Sequence, residues 1–174
     1  MQSACDYSDA QRQMRLIHDA RRTAVLGARY YAVKFDRWSR LSLTLNAAGA
    51  LGGSTVLIQS LTQLAPTSVT YLALAAAIAS SLLPQIGLNE RTCRFQGLRD
   101  GWQRQAVALE GLITDITSAG CLTDSHRAAF KAHLGTQNSL EACDDASPSG
   151  RLVRNITKDI ERQFPAGDLW MPAH

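Results

Sequence analysis

The sequence predicts an all-α membrane protein, a two-helix transmembrane hairpin extended into a cytosolic antiparallel helical pair, plus short C-terminal helices. Three observations predict this fold. No Asp, Glu, Lys, Arg or His lies between Arg40 and Glu90, the first proline is Pro66, and basic residues flank the uncharged run on both sides. A soluble domain rarely leaves so long a stretch without charge, because its surface must keep contact with water.

The uncharged run divides into two predicted spans. The first, Leu41–Leu64, would be about 36 Å long as a helix, enough to cross roughly 30 Å of hydrocarbon with some tilt. A turn at 65–68 follows, and the second span is Val69–Leu88, kinked near Pro84. The alternative is that both are buried helices of a soluble bundle. It is disfavoured because a chain of this size cannot surround two adjacent apolar helices on all sides.

The flanks of the two spans predict the orientation. Positively charged flanks stay in the cytoplasm, and an aromatic ring among them is typical of a membrane interface. Both termini are therefore expected in the cytoplasm. The chain is expected to lie in the cytoplasmic (inner) membrane, where it contacts membrane lipid. The predicted interface residues are Arg37, Trp38, Arg40, Arg91 and Arg94.

Two long helices are predicted to carry an apolar seam, a row of apolar residues at alternating three- and four-residue steps. One helix begins at about Ser8, with Gln11 completing a capping box, and runs into the first span. The other covers about Asn89–Ala119. Because both leave one hairpin side by side, their seams are predicted to meet, which defines a domain over residues 8–119. The seam residues are Ile17, Ala24, Ala28, Tyr31, Phe35 and Trp38 on the first helix, and Phe95, Leu98, Trp102, Leu109, Leu112 and Ile116 on the second.

Residues 120–174 are predicted to form a cytosolic helical extension. Gly120 ends the preceding helix, and Thr123 or Asp124 caps a short helix through about Leu134. Residues 135–150 are rich in turn formers. A last amphipathic helix at about Arg151–Phe164 is expected either to pack on the cytosolic pair or to lie on the membrane surface.

One side of the first span is small and polar, and the opposite side is aliphatic. Two interpretations of the polar side stay open. It packs against other helices, since small residues let backbones approach closely, or several copies turn it toward a water-filled centre. The residues of this predicted polar face are Ser42, Asn46, Gly49, Gly52, Gly53, Gln59 and Gln63.

Nothing in the sequence predicts an enzyme. No glycine-rich phosphate loop, nucleophile elbow or paired carboxylates appear, so no catalytic residue, metal or cofactor is expected. His126 and His133 do not have a known zinc spacing, and His18 is expected to be solvated. Nucleic-acid binding is disfavoured because no reading motif accompanies the basic residues.

Several short motifs together carry a family resemblance: Ala20-Arg21-Arg22, Ala28-Arg29-Tyr30-Tyr31, Trp38, the glycine-rich run at 47–54, Arg91 and Trp102. With these motifs, the layout over about residues 12–118 resembles the SLATT family, the SMODS- and SLOG-associating two-transmembrane effector domains. The resemblance implies a bacterial conflict or anti-phage effector, not an enzyme, that assembles into a homo-oligomeric membrane pore. A nucleotide-signalling partner would then trigger it.

Two other functions fit the same hairpin. A non-conducting membrane scaffold or adaptor would use the spans only to hold a partner-binding stalk at the bilayer. A holin-like lysis protein of this size would also have two spans.

Overall fold

The computed structural model describes residues 2–53, 87–145 and 148–165, with side chains from residue 8 to 47 in the first stretch. These residues form four helices: α1 (Gln2–Gly53), α2 (Leu88–Ala119), α3 (Asp124–Ala142) and α4 (Gly150–Gln163). All regular elements in these ranges are helices, so the all-α class is confirmed for them.

Within the described ranges, no helix offers a stretch long and apolar enough to cross a membrane. The predicted first span begins inside α1, which continues to Gly53, and its remainder lies outside the described residues. Of the predicted second span, only Gly87 and Leu88 are described.

The chain divides into two compact units. The first combines Met1–Ala32 with Gln96–His174, and the second is Val33–Phe95. In the first unit α1 and α2 run antiparallel. Arg21 pairs with Glu110 at 2.9 Å, and a Cβ atom on Gly27 would lie 2.6 Å from the Trp102 ring. Higher residue numbers on α1 thus meet lower numbers on α2, as the predicted hairpin requires.

The apolar seam of α2 is buried along its whole length. Its members are Phe95, Leu98, Trp102, Leu109, Leu112 and Ile116. On α1, the seam residues Ile17, Ala24 and Tyr31 are buried, while Ala28, Phe35 and Trp38 are half-buried. The prediction omitted Met14, Ala20 and Tyr30, which are also buried, so the apolar face of α1 is wider than one seam.

The predicted start of α1 at Ser8 is wrong, since the helix already begins at Gln2. A capping residue favours a helix start but does not impose one. No proline or glycine lies among residues 2–8, so nothing in the sequence stops the helix from extending upstream.

The predicted end of α3 at Leu134 is also wrong, because the helix runs through Gly135 to Ala142. Two contacts beyond Gly135 favour the longer helix. The Gln137 side chain donates to the Glu141 carboxylate at 3.0 Å. Leu140 packs closely against Gly101 of α2, since a Cβ atom added to Gly101 would lie 2.7 Å from a methyl carbon of Leu140. Packing against α2 outweighs the modest helix cost of one glycine. The predicted cap holds: Thr123 and His126 form a reciprocal capping box.

The amphipathic α4 packs inside the first unit, and its Ile156 and Ile160 are buried. The chain reaches α4 beside Tyr30, whose hydroxyl accepts from the Ser149 backbone N–H at 3.3 Å. The helix ends beside Arg22, which donates to the Phe164 carbonyl at 2.5 Å. Because residue numbers again run in opposite directions, α4 is antiparallel to α1. Of the two placements expected from sequence, packing on the helical pair is the one observed.

Candidate membrane interface and polar helix face

An aromatic–cation cluster joins α1 and α2 within the second unit. It consists of Lys34, Trp38, Arg91 and Phe95. The rings of Trp38 and Phe95 lie 6.4 Å apart. The Arg91 guanidinium lies 5.3 Å from the centre of the Trp38 ring, and the Lys34 ammonium lies 5.4 Å from the centre of the Phe95 ring. Each cation is within the roughly 6 Å range of a cation–π interaction.

Three further basic residues lie within two positions of this cluster along the chain. Arg37, Arg40 and Arg94 are exposed, and Arg40 donates to Asp36 one turn earlier at 3.5 Å. Over residues 34–40 and 90–94, five basic residues stand against two acidic ones. A dense cationic band around amphipathic rings attracts anionic phospholipid headgroups, with about 1 kcal/mol from each Lys or Arg near the surface. All five predicted interface residues thus lie where the charged sequence gives way to the uncharged run.

The first turns of the predicted polar face are helical. Asn46 donates to the Ser42 hydroxyl one turn earlier at 3.4 Å, which places both side chains on one side of α1. Gly49, Gly52 and Gly53 belong to the same helix. Gln59 and Gln63 lie outside the described residues, so the remainder of the face stays a prediction.

The leucines beside this polar face are exposed to solvent. Leu41 is 45% exposed and Leu43 is 71% exposed. Two residues apart on a helix, they point about 200° from each other, so a single neighbouring helix cannot cover both.

Seam residues of both helices form much of the buried interior of the first unit. Trp102 is 1% exposed beside Gly27. The polar exception in the seam, Gln105, is buried and donates to the His133 carbonyl at 2.7 Å, so its amide is satisfied by α3. A buried amide that finds such a partner fixes the register of two helices more strictly than apolar contacts do.

Tyr31 ties α1 to the loop before α4. Its hydroxyl donates to the Asp144 carboxylate at 2.5 Å and accepts from the Asp145 backbone N–H at 3.1 Å. Burial first, and then the hydrogen bond to Asp144, raise the pKa of Tyr31 well above its usual value, because ionisation would place a second negative charge beside the carboxylate. Sequence reasoning placed Tyr31 in the seam but missed this contact. The signal was available, since a buried tyrosine hydroxyl needs a partner.

Sequence reasoning also missed the basic side of α1 that faces α4. The Arg21 guanidinium lies 4.6 Å from the centre of the Phe164 ring, Arg22 donates to the Phe164 carbonyl, and Arg29 donates to the Gln163 side chain. His18 is only 4% exposed, so the expectation that it is solvated is wrong. The α4 end of the first unit covers it.

Neither a metal site nor an enclosed active site appears in the described ranges. No group of three or more His, Cys, Asp and Glu side chains there could hold a metal ion. An open depression of about 400 Å³ lies along Asp100, Arg104 and Val107, but its lining residues share one face of α2 and enclose nothing.

No family model matches this chain, and neither a curated protein nor a solved structure does. The function must therefore be argued from the chain's own residues.

Proposed function

We propose that this chain is a two-span protein of the bacterial cytoplasmic membrane that assembles with copies of itself into a pore. It would act as an effector in a conflict or anti-phage system under the control of a nucleotide-signalling partner. The resemblance to SLATT domains supplies the biological role, and the residues supply the physical argument. The observation that carries the proposal is the absence of any charged residue between Arg40 and Glu90, in a run that α1 enters as a helix.

The aromatic–cation cluster supports the membrane part of this proposal. An arginine over Trp38 and a lysine over Phe95 combine apolar rings with positive charge, as expected at the headgroup level of an anionic leaflet. The exposed Leu41 and Leu43 follow directly along α1. Cationic flanks, interface aromatics and then exposed leucines are the order in which a helix enters a bilayer.

The polar face supports the pore part. Amide and hydroxyl groups in hydrocarbon need partners, because no water is there to satisfy them. Ser42 and Asn46 begin this face on one side of α1, and the sequence continues it through Gln59 and Gln63. One hairpin cannot enclose a channel, so the pore requires several copies whose polar faces line a common centre.

The bundle of the first unit supplies the regulatory part. α3 and α4 both contact the α1–α2 pair, through Gln105 to His133 and through Arg22 to Phe164. A signal that changes how these helices pack would rotate α1 and, with it, the polar face of the first span.

Dye release from lipid vesicles tests the proposal. The purified chain should release an entrapped dye, and the double variant Asn46→Leu, Gln59→Leu should lose the release while inserting normally, because its polar face has become apolar. The control Ala47→Leu adds a leucine in line with Leu43 on the aliphatic side and should still release dye.

Two results would contradict the pore. If the Asn46→Leu, Gln59→Leu variant still releases dye, the polar face only packs helices. If the native chain releases none at any oligomeric state, the scaffold function replaces the pore. Insertion is checked in each case by flotation of the vesicles.

A further inference from the structure

A basic cavity lies in the first unit, at the end of α4. It measures about 10 Å³ and is lined by His18, Arg21, Arg22 and Phe164. None of these residues lies in either predicted span, so the cavity raises a question separate from the pore. Three of its four lining side chains are basic, and the side chains of Arg21 and Arg22 are 18% and 27% exposed.

The contacts of Arg21 and Arg22 satisfy only some of the N–H groups of each guanidinium. Arg21 pairs with Glu110 at 2.9 Å, and Arg22 lies 3.9 Å from Asp19 and donates to the Phe164 carbonyl. Positive side chains at the C-terminus of a helix favour its unpaired carbonyls, so part of this arrangement is a cap for α4. The cap uses terminal guanidinium nitrogens only. The Nε atoms of both arginines are buried and have no hydrogen-bond partner among the described residues.

Buried N–H donors without acceptors are costly and call for an explanation. A guanidinium group presents its Nε and terminal N–H groups as a planar fork, which matches two oxygens of a phosphate or carboxylate. Two such forks one residue apart on α1, beside a buried histidine, fit a tetrahedral anion better than a single carboxylate. We propose that His18, Arg21 and Arg22 form a binding site for a phosphate group, free or as a terminal monoester, which Phe164 covers.

The size of the cavity determines how Phe164 takes part. About 10 Å³ holds roughly one water molecule, so a phosphate enters only when Phe164 withdraws. The ring then leaves Arg21, and the carbonyl of Phe164 releases Arg22. Bound phosphate therefore loosens the last turn of α4, where the Phe164 N–H donates to the Ile160 carbonyl at 2.8 Å. Phosphate and Phe164 compete for the same two arginines.

Titration with inorganic phosphate, followed by ³¹P NMR on the full chain in detergent, tests the site. Arg22→Gln should weaken phosphate binding by about tenfold or more, because it removes charge-assisted hydrogen bonds. The control Arg15→Gln removes the same charge from an exposed position of α1 and should bind as the native chain does. Phe164→Ala should bind phosphate several-fold more tightly, since the covering ring is gone.

Hydrogen exchange supplies a second readout, because phosphate should accelerate exchange at the end of α4 in the native chain. Short-chain phosphatidic acid is a second probe. If it binds more tightly than inorganic phosphate, the site recognises a lipid headgroup, and if it binds more weakly, the site recognises free phosphate. The proposal is overturned if Arg15→Gln and Arg22→Gln weaken binding equally, or if Phe164→Ala fails to tighten it. The Phe164→Ala arm keeps the test decisive even if Arg22→Gln does not fold.

Discussion

Two regions of α1 cover their apolar side chains to different extents. Between Met14 and Tyr31 the helix buries its apolar face against protein, and Ile17 and Ala24 are almost fully covered. At Leu41 and Leu43 the apolar side chains are exposed on opposite sides of the helix. The first region is amphipathic and packs one face against protein, with Leu16 as its exposed exception, whereas the second exposes Leu41 and Leu43 and half-buries Leu45. Under the proposed function, the first region belongs to the helical bundle and the second enters lipid.

The largest expected effect is a loss of stability when the packing of the buried region is disrupted. Gly27→Ala would place a Cβ atom 2.6 Å from the Trp102 ring, where real Cβ atoms do not approach. The free energy of unfolding should fall by about 1–3 kcal/mol, because a packed core has no room to adjust. Urea unfolding of the purified chain, followed by circular dichroism, measures it.

The matched control for this variant is Gly97→Ala, because nothing lies within 4 Å of a Cβ atom on Gly97 in helix α2. That substitution should raise the free energy of unfolding by about 0.5–1 kcal/mol through helix propensity alone. Equal effects of the two variants would show that α1 and α2 do not approach closely at Gly27.

A smaller effect is expected where the buried region meets the loop before α4. Tyr31→Phe removes the hydrogen bond to Asp144 and should lower the free energy of unfolding by about 1–2 kcal/mol at neutral pH. The pKa of Tyr31 is raised in the folded state. The unfolded chain therefore loses its proton first, and the native chain should lose stability as the pH rises past about 10.

The variant Tyr31→Phe should not show the part of this loss of stability at high pH that comes from Tyr31. Urea unfolding between neutral pH and pH 11 measures the difference. Tyr30→Phe is the control, since it leaves the contact between Tyr31 and Asp144 in place and should keep the loss. An identical pH dependence in the native chain and Tyr31→Phe would contradict the hydrogen bond between Tyr31 and Asp144.

The periodic elements could be predicted from sequence, and the reason is visible in α2. Its three–four alternation is long, with Gln105 as its polar exception, and all six predicted apolar seam residues are buried. Gly120, with a φ of 67°, ends the helix as expected. The end of α3 could not be predicted, because Gly135 is a local stop signal that the distant packing of Leu140 against α2 at Gly101 overrides.

The basic cavity could not be predicted either, because it also depends on contacts between residues far apart along the chain. Arg21 interrupts the seam of α1 in the sequence, but its partners Glu110 and Phe164 are far away along the chain. His18 appears as a polar residue on a polar helix until α4 covers it. The polar face of the first span remains a sequence prediction beyond Gly53.

Cysteine labelling across the membrane tests the central claim most directly. Native Cys143 is exposed in the first unit, and the proposed topology places it on the cytoplasmic side. In spheroplasts that express Thr67→Cys, a membrane-impermeant maleimide should label residue 67 before permeabilisation and Cys143 only afterwards. Labelling of both only after lysis, from a chain that stays in the supernatant without detergent, would contradict a lipid-embedded hairpin.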